Sequence, residues 1–224
     1  CNTKRQSAMT TPLDTLLTTY DLTPPLTPFP MPGGLNNASL GLHTGAGDFV
    51  LKTLTANQER AMLRYEHALL AWLATQPLSF QVPTPMPTRS GDTLVTTPTG
   101  YELLVPYVAG VRPCYTETVQ VEAMGAALAE LHTVLAHYPL HPRPGMGAFG
   151  VLEQTHAQLT DPYHLTPRVL GLAETPDYIA LFAWWRNELA QLRSFIAGPF
   201  AQLPRQVIHC DYGPSNTVYD KGRI

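Results

Sequence analysis

Three residues near the C-terminal end of the chain have types and spacing that suit catalysis: His209, Asp211 and Asn216 form the pattern H-x-D-x-x-x-x-N. This pattern is typical of loops that catalyse phosphoryl transfer, in which the Asp accepts the proton of an attacking hydroxyl and the Asn holds a Mg²⁺ ion. The intervening Gly213-Pro214-Ser215 has the composition of a tight turn, which would bring the Asp and Asn side chains together. The loop therefore predicts phosphoryl-transfer chemistry.

Two other interpretations of this loop stay open on the residues alone. An Asp and an Asn beside Gly-Pro often only cap the turn through hydrogen bonds to their own backbone. His209 and Asp211 are also acceptable metal ligands, as in a metal-dependent hydrolase, although no further His or Cys lies at ligand spacing nearby. The choice between these interpretations depends on what the rest of the chain supplies.

A lysine inside an apolar segment is the next candidate. Lys52 lies within residues 49–54, which predict a strand that pairs as a hairpin with residues 38–43. Glu66 follows fourteen residues later, in the middle of a predicted helix that Asn57 would cap and that runs to about residue 75. A strand Lys paired with a Glu of the next helix is the arrangement with which kinases hold the α- and β-phosphates of a nucleotide. The alternatives are an edge-strand lysine that reaches solvent, and Glu59 as the acidic partner.

Two backbone segments are candidates for nucleotide contacts. Gly33, Gly34 and Asn36 lie in a glycine-bearing turn whose backbone would approach a phosphate closely, although an ordinary hairpin has the same composition. Tyr107 lies where the predicted strand 101–105 gives way to a loop, which we interpret as a hinge whose backbone can bond the edge of an adenine.

The remaining elements predict an α+β chain with a protein-kinase-like arrangement of two lobes. Residues 1–104 would form an N-lobe with an antiparallel sheet and one helix, residues 105–110 the hinge, and residues 111–224 a mostly helical C-lobe. Helical patterns also cover residues 13–20, 121–138 and 177–197, with His132 as a structural histidine on the second of these. Segments 206–208 and 217–219 predict short strands on either side of the catalytic loop, followed by a turn at 220–222.

Composition excludes several classes of protein. The 224 residues are 44% hydrophobic and 14% charged with a formal net charge of −3, and the basic residues are scattered, which argues against a nucleic-acid or membrane partner. No apolar run approaches the ~20 residues that a membrane helix needs. The three cysteines are too widely spaced for a disulfide framework or a zinc site. These features favour a cytoplasmic protein, and they leave its oligomeric state open.

Each end of the sequence has an unusual feature. The chain begins with Cys1, and Met9 is a better natural start, so residues 1–8 are expected to be an upstream extension. The chain ends at Ile224, within the second strand of the hairpin that follows the catalytic loop, which would leave an edge unpaired. We therefore expect the sequence to be truncated at its C-terminus.

With these parts in order, the chain resembles the aminoglycoside phosphotransferase and choline kinase superfamily, whose members have a protein-kinase-like fold. Within it, the chain looks most like the branch that contains type II homoserine kinases. The most specific stretches are residues 32–37 (PGGLNN), 49–52 (FVLK), 65–70 (YEHALL), 129–132 (AELH) and 203–216 (LPRQVIHCDYGPSN).

The resemblance implies a role for each candidate residue. Asp211 would be the catalytic base, with His209 orienting its loop, and Asn216 would bind Mg²⁺. Lys52, positioned by Glu66, would hold the α- and β-phosphates of ATP. The loop with Gly33, Gly34 and Asn36 would cover the nucleotide, and Tyr107 would lie at the adenine edge.

The chain departs from the family pattern at two places. Cys210 stands where members more often carry Gly. The family also places a second metal-binding Asp shortly after the hairpin that follows Asn216, and this chain would need about five more residues to reach it. We therefore expect the parent protein to be a small-molecule kinase and this piece alone to be inactive.

The acceptor is the least specified feature. Residues 111–205 carry eight acidic residues against six arginines, which suits an amino acid or amino alcohol such as homoserine better than a polycationic aminoglycoside. An aminoglycoside- or sugar-directed phosphotransferase and a non-catalytic nucleotide-binding module remain the alternatives.

Overall fold

The computed structural model describes residues 12–31, 38–144, 151–154 and 161–224. The chain is α+β, as the sequence predicts. Three short 3₁₀ helices cover Leu152–Gln154, Pro162–His164 and Phe200–Gln202. The longer elements are α1 (Leu13–Thr19), β1 (Thr27–Pro30), β2 (Ala38–Thr44), β3 (Gly47–Thr55), α2 (Arg60–Leu73), β4 (Val95–Thr97), β5 (Gly100–Pro106), α3 (Thr118–Leu135) and α4 (Pro176–Ala197).

The chain divides into two compact units. The first contains Cys1–Pro139 together with Val207–Ile224, and the second contains Leu140–Gln206. All the described candidate site residues belong to the first unit. The division into lobes at residues 104 and 111 stays a prediction, although β5 continues through Pro106, so that the loop after it begins at Tyr107.

One antiparallel sheet of five strands, in the order β1-β2-β3-β5-β4, organises the first unit. The predicted hairpin of residues 38–43 and 49–54 is confirmed as β2 and β3. The strand β1 contains Pro28 and Pro30. Because β1 lies at the edge of the sheet, one side of its backbone needs no ladder hydrogen bonds, and proline is tolerated there.

Register decides which residues share a face of the sheet. Lys52 lies opposite Ser39 of β2 and Leu103 of β5, and opposed residues in an antiparallel sheet project from the same face. The other face is covered by α1, whose Leu16 and Tyr20 are fully buried against Leu42, Leu51 and Leu104. Lys52 therefore lies on the face opposite to α1.

Helix α2 packs on the Lys52 face. Its Leu63 is buried in a cluster with Val50 and Leu54 of β3 and with Leu103 and Val105 of β5. The helix begins after Glu59, and the predicted cap Asn57 instead accepts a hydrogen bond from the hydroxyl of Thr55. The prediction that Asn57 caps the helix was therefore wrong, since the N-terminal cap position is Glu59, two residues later. The helix itself is confirmed.

Helix α3 and the C-terminal segment complete the first unit. Leu131 and Leu135 of α3 are buried with Leu73, and Val207 packs against the same cluster. The predicted strands at 206–208 and 217–219 do not form in the described C-terminal segment, where only isolated bridges at Tyr219, Asp220 and Arg223 occur. The turn at 220–222 is confirmed, with positive φ angles at Lys221 and Gly222.

The second unit is built on α4. Thr175 caps this helix by accepting a hydrogen bond from the backbone N–H of Tyr178 at 3.3 Å, and Pro176 occupies its first turn. The indole of Trp185 donates to the carbonyl of Pro162 at 3.2 Å, which joins α4 to the 3₁₀ helix Pro162–His164. None of the helices within the described ranges is both long and apolar enough to cross a membrane.

Candidate active site

A cavity of about 450 Å³ lies on the α2 side of the sheet. Lys52 from β3 and Glu66 from α2 both line it, beside the apolar side chains of Leu103 and Val105. This volume is in the range of pockets that bind cofactors and other small molecules. The structure therefore places Lys52 and Glu66, which the sequence predicts to form a pair, on the lining of one cavity.

Lys52 is held in a partly desolvated position. Its strand is central and pairs along both edges, so the side chain leaves the sheet between β2 and β5. Burial lowers the pKa of Lys52, because removing an ammonium from water disfavours its charged form. A bound anion offsets this cost, so the position suits a phosphate ligand better than a solvent-exposed edge lysine would.

Three residues of α2 that the motif analysis did not single out anchor this helix to the turn before β4. Arg60 and Arg64 both donate to the carboxylate of Asp92, each at 2.7 Å. The buried ring of His67 lies 2.6 Å from the hydroxyl of Thr93. Arg60, Arg64 and His67 are spaced by four and three residues, which places them on one helix face. That spacing was visible in the sequence, but the partner turn was not.

The side chains of Asp211 and Asn216, in the predicted catalytic loop, lie in contact with each other. The side-chain amide of Asn216 donates to the Asp211 carboxylate at 2.8 Å and to the Asp211 carbonyl at 2.7 Å. The backbone N–H of Asp211 donates to Nδ1 of His209 at 3.3 Å. Asp211 is exposed to solvent, so its carboxylate is open to an incoming hydroxyl.

Helix α3 holds this loop through two side-chain hydrogen bonds. The backbone N–H of His209 donates to Nε2 of His132 at 3.3 Å, and the Tyr212 hydroxyl donates to the carbonyl of Met124 at 3.0 Å. The His132 contact agrees with a structural role for that histidine. Within the loop, the Thr217 hydroxyl donates to the Gly213 carbonyl at 3.0 Å.

The segment after β5 is bonded at both of its ends. The backbone N–H of Tyr107 donates to the carbonyl of Asp48 at 2.9 Å, and the Tyr107 ring meets the edge of Phe29 with centroids 5.7 Å apart. At the other end, Val111 and Tyr219 exchange two backbone hydrogen bonds of 3.0 and 2.8 Å. This segment therefore connects the strands beside the cavity to the chain that follows the catalytic loop.

Three predicted nucleotide contacts, Gly33, Gly34 and Asn36, lie outside the described residues. In the part of the chain that is described, no group of three His, Cys, Asp or Glu side chains is close enough to hold a metal ion. The described residues therefore add nothing to the hydrolase alternative. The amide nitrogen of Asn216 is taken by Asp211, so the amide oxygen is the atom of this side chain that would bind Mg²⁺, which commonly takes its remaining ligands from water and phosphate.

Comparison with known proteins gives a family match over most of the chain. The model of the phosphotransferase enzyme family matches residues 29–224, which include every candidate site residue. Homoserine kinase from Caulobacter vibrioides (strain NA1000 / CB15N) is 29% identical over 209 residues, which cover 92% of this chain and 60% of that enzyme. Homoserine kinase from Rhodopseudomonas palustris (strain BisA53) is 28% identical over 189 residues, covering 83% of this chain and 52% of that enzyme. The chain thus spans about half to three-fifths of the length of these two relatives.

A solved structure supports the fold. The aminoglycoside phosphotransferase from Alicyclobacillus acidocaldarius subsp. acidocaldarius DSM 446 superposes with a TM-score of 0.52 at 16% identity. The superposition covers 96% of this chain and 65% of that chain. At this identity, the similarity is one of fold.

Proposed function

Because the chain belongs to the phosphotransferase enzyme family, we propose that it carries the nucleotide-binding and catalytic-loop residues of an ATP-dependent small-molecule kinase. In this reaction the γ-phosphoryl group passes directly from ATP to a hydroxyl of the acceptor. The observation that carries the proposal is the contact of Asn216 with the Asp211 carboxylate at 2.8 Å, in a loop anchored to α3.

We assign Asp211 as the catalytic base. It is exposed and hydrogen-bonded on one side to Asn216, so that its carboxylate can accept the acceptor's hydroxyl proton as the new O–P bond forms. The ring nitrogen Nδ1 of His209 accepts a hydrogen bond from the backbone N–H of Asp211, and the backbone N–H of His209 donates to the ring of His132. These two bonds fix the backbone beside the base. We assign His209 to orienting the loop.

The cavity beside Lys52 suits the phosphates of ATP. Burial lowers the pKa of Lys52, so an anionic partner would stabilise its charged ammonium form. Glu66 lines the same cavity and would keep the ammonium charged and oriented. We assign Tyr107, at the start of the segment after β5, to contact with the base, through groups other than its backbone N–H, which bonds the carbonyl of Asp48. Mg²⁺ bound at Asn216 would neutralise charge on the transferring group.

The proposed acceptor is homoserine or another amino acid or amino alcohol. This choice is supported by the two homoserine kinases to which the chain is similar and by the six arginines in residues 111–205, which suit an acceptor carboxylate. We place the reaction in the cytoplasm, where thiols such as Cys114 and Cys210 remain reduced.

The test is ADP release by the protein expressed from its whole reading frame, with homoserine, choline, methylthioribose, sugars and aminoglycosides as acceptors. Asp211→Asn should reduce turnover with the preferred acceptor about 10³-fold or more, because it removes the base while keeping the size of the side chain. Asp220→Asn is the matched control, since Asp220 is an exposed Asp in the turn that follows the same loop. Turnover that survives in Asp211→Asn would overturn the assignment of the base.

The 224-residue chain itself is tested by nucleotide binding. Titration calorimetry should detect ATP binding that weakens about tenfold or more in Lys52→Ala, because a charge-assisted contact to phosphate is lost. Equal affinity in the two proteins would contradict the phosphate site.

A further inference from the structure

The anchor of α2 consists of three side chains that reach one short turn. Arg60 and Arg64 converge on the same carboxylate oxygen of Asp92, Oδ2, at 2.7 Å each. One turn further along the helix, His67 meets the hydroxyl of Thr93 at 2.6 Å. Two adjacent residues of the turn thus contact about two turns of helix.

The turn that receives these contacts is itself fixed. The second carboxylate oxygen of Asp92 accepts the backbone N–H of Leu94 at 3.3 Å, and the Asp92 carbonyl accepts the backbone N–H of Thr88 at 2.7 Å. Leu94 is buried in the same apolar cluster as Leu63 of α2. Strand β4 then begins at Val95 and pairs with β5, so the turn is attached to the sheet.

The charges of the anchor favour a stable contact. The hydrogen bond from Arg64 is the main cause that lowers the pKa of Asp92 to about 2, so the carboxylate remains ionised at neutral pH. Burial lowers the pKa of His67, which keeps the ring neutral and able to bond Thr93. The Asp92 side chain is 25% exposed, whereas those of Arg60 and Arg64 are 44% and 57% exposed, so solvent screens both ion pairs and the anchor depends on two arginines sharing one carboxylate.

The anchor lies next to Glu66, the residue proposed to orient Lys52 toward the nucleotide. Glu66 directly precedes His67 and lines the cavity with Lys52, and His67 lines the same cavity. In a helix, a rotation or an axial shift moves neighbouring residues together. Contacts that fix Arg64 and His67 therefore also fix where Glu66 projects.

We propose that Asp92 is a positioning residue: by holding Arg60 and Arg64 of α2, with Thr93 holding His67, it sets the helix register that places Glu66 against Lys52 in the nucleotide cavity. The inference rests on the proposed function, because it matters only if Lys52 binds the phosphates. Asp92 itself touches no substrate. Its effect should therefore depend on Lys52 and should concern only the phosphate part of the nucleotide.

A double-mutant cycle on the 224-residue chain tests this dependence. ATP and adenosine affinities are measured by titration calorimetry for the wild type, Asp92→Asn, Lys52→Ala and the double variant, with thermal melts to choose a temperature at which all are folded. We expect Asp92→Asn to weaken ATP about three- to tenfold, to leave adenosine unchanged, and to add nothing in the Lys52→Ala background. Asp21→Asn is the matched control, since Asp21 pairs with Arg89 at 3.0 Å through a single arginine on exposed surface.

The outcomes separate this inference from the proposed function. An unchanged ATP affinity in Asp92→Asn, an equal loss for ATP and adenosine, or a full further loss in the Lys52→Ala background would each overturn the positioning role. If the wild type does not bind ATP, or Lys52→Ala binds as well as the wild type, the phosphate site itself fails and the inference fails with it. Should Asp92→Asn not fold, Thr93→Val removes only the His67 contact while keeping the shape of the side chain. The same ATP-specific loss, about two- to threefold, is then expected, and its absence overturns the proposal.

Discussion

Gly110 allows the segment after β5 to approach the chain that follows the catalytic loop. Its φ angle is 144°, a conformation that is essentially restricted to glycine. A Cβ atom at this position would lie 2.5 Å from Cγ1 of Val218 and 2.7 Å from the carbonyl oxygen of Tyr219. The second of these atoms is backbone and accepts a hydrogen bond from Val111. Gly110→Ala therefore cannot be accommodated without separating the Val111–Tyr219 pair.

The expected cost has two parts. Forcing an alanine into the glycine conformation costs about 1–2 kcal/mol. Losing the two backbone hydrogen bonds between Val111 and Tyr219 adds about 1 kcal/mol each. We therefore predict that Gly110→Ala lowers the free energy of unfolding by about 3–4 kcal/mol.

Urea unfolding, followed by tryptophan fluorescence and by circular dichroism, measures this change. Gly91→Ala is the matched control, because Gly91 also has a positive φ angle, 85°, but a Cβ there would meet no atom within 4 Å. The control should lose only the conformational part, about 1–2 kcal/mol. If Gly110→Ala is no less stable than Gly91→Ala, the close approach of Gly110 to Tyr219 does not contribute to the free energy of unfolding, and the inference is wrong.

Four further predictions concern stability and are measured by urea unfolding. Gly125→Ala should stabilise the chain by about 0.5–1 kcal/mol, because Gly125 lies inside α3 with open space around its Cα; a loss of stability would contradict that open space. Leu104→Ala should cost about 2–5 kcal/mol, since Leu104 is fully buried between α1 and the sheet, and a cost below about 1 kcal/mol would refute this packing. Glu130→Ala should cost about 1.5–3 kcal/mol, because the Glu130 carboxylate accepts both the backbone N–H of Ser79, at 2.6 Å, and its hydroxyl; Glu122→Ala on the same helix is the control and should change little. Burial holds the pKa of His67 below its unfolded value near 6.5, so the unfolded chain binds a proton first and stability should fall as the pH drops below about 6.5; His67→Gln should flatten this part of the pH dependence, and an unchanged profile would contradict a buried neutral ring.

Much of the fold follows from local patterns. The β2–β3 hairpin and the helices α1, α2, α3 and α4 were all predicted within a few residues, because each combines a clear apolar period with turn or breaker residues at its ends. The contact within the proposed catalytic loop was also predictable from a local pattern. Asp211 and Asn216 are five residues apart, so the contact between them is determined by the turn that separates them.

Other features depend on neighbours that a local pattern does not reveal. The apolar segment 206–208 predicts a strand, but a strand forms only with a partner, and Val207 instead packs against the cluster of Leu73, Leu131 and Leu135. The strand β1 is the opposite case, because a strand forms where the local sequence disfavours one. Its prolines are unsuited to a central strand but are tolerated at the sheet edge that it occupies. Asn57 is a residue type that often caps helices, but its side-chain oxygen accepts a hydrogen bond from the hydroxyl of Thr55, two residues before it.

The residues that support the candidate site differ from those proposed to perform chemistry in the sequence distance between the partners that they contact. Arg64 and Asp92 are 28 residues apart, His132 and His209 are 77 apart, and Met124 and Tyr212 are 88 apart. Such pairs carry no spacing signal, because the loop between them can change in length at little free-energy cost. The residues proposed to bind phosphate, metal and proton, Lys52, Asp211 and Asn216, lie in short motifs because each of these partners demands particular chemical groups at short range. The supporting contacts need only a donor and an acceptor at the right place, so a single sequence identifies the groups that react more readily than the groups that position them.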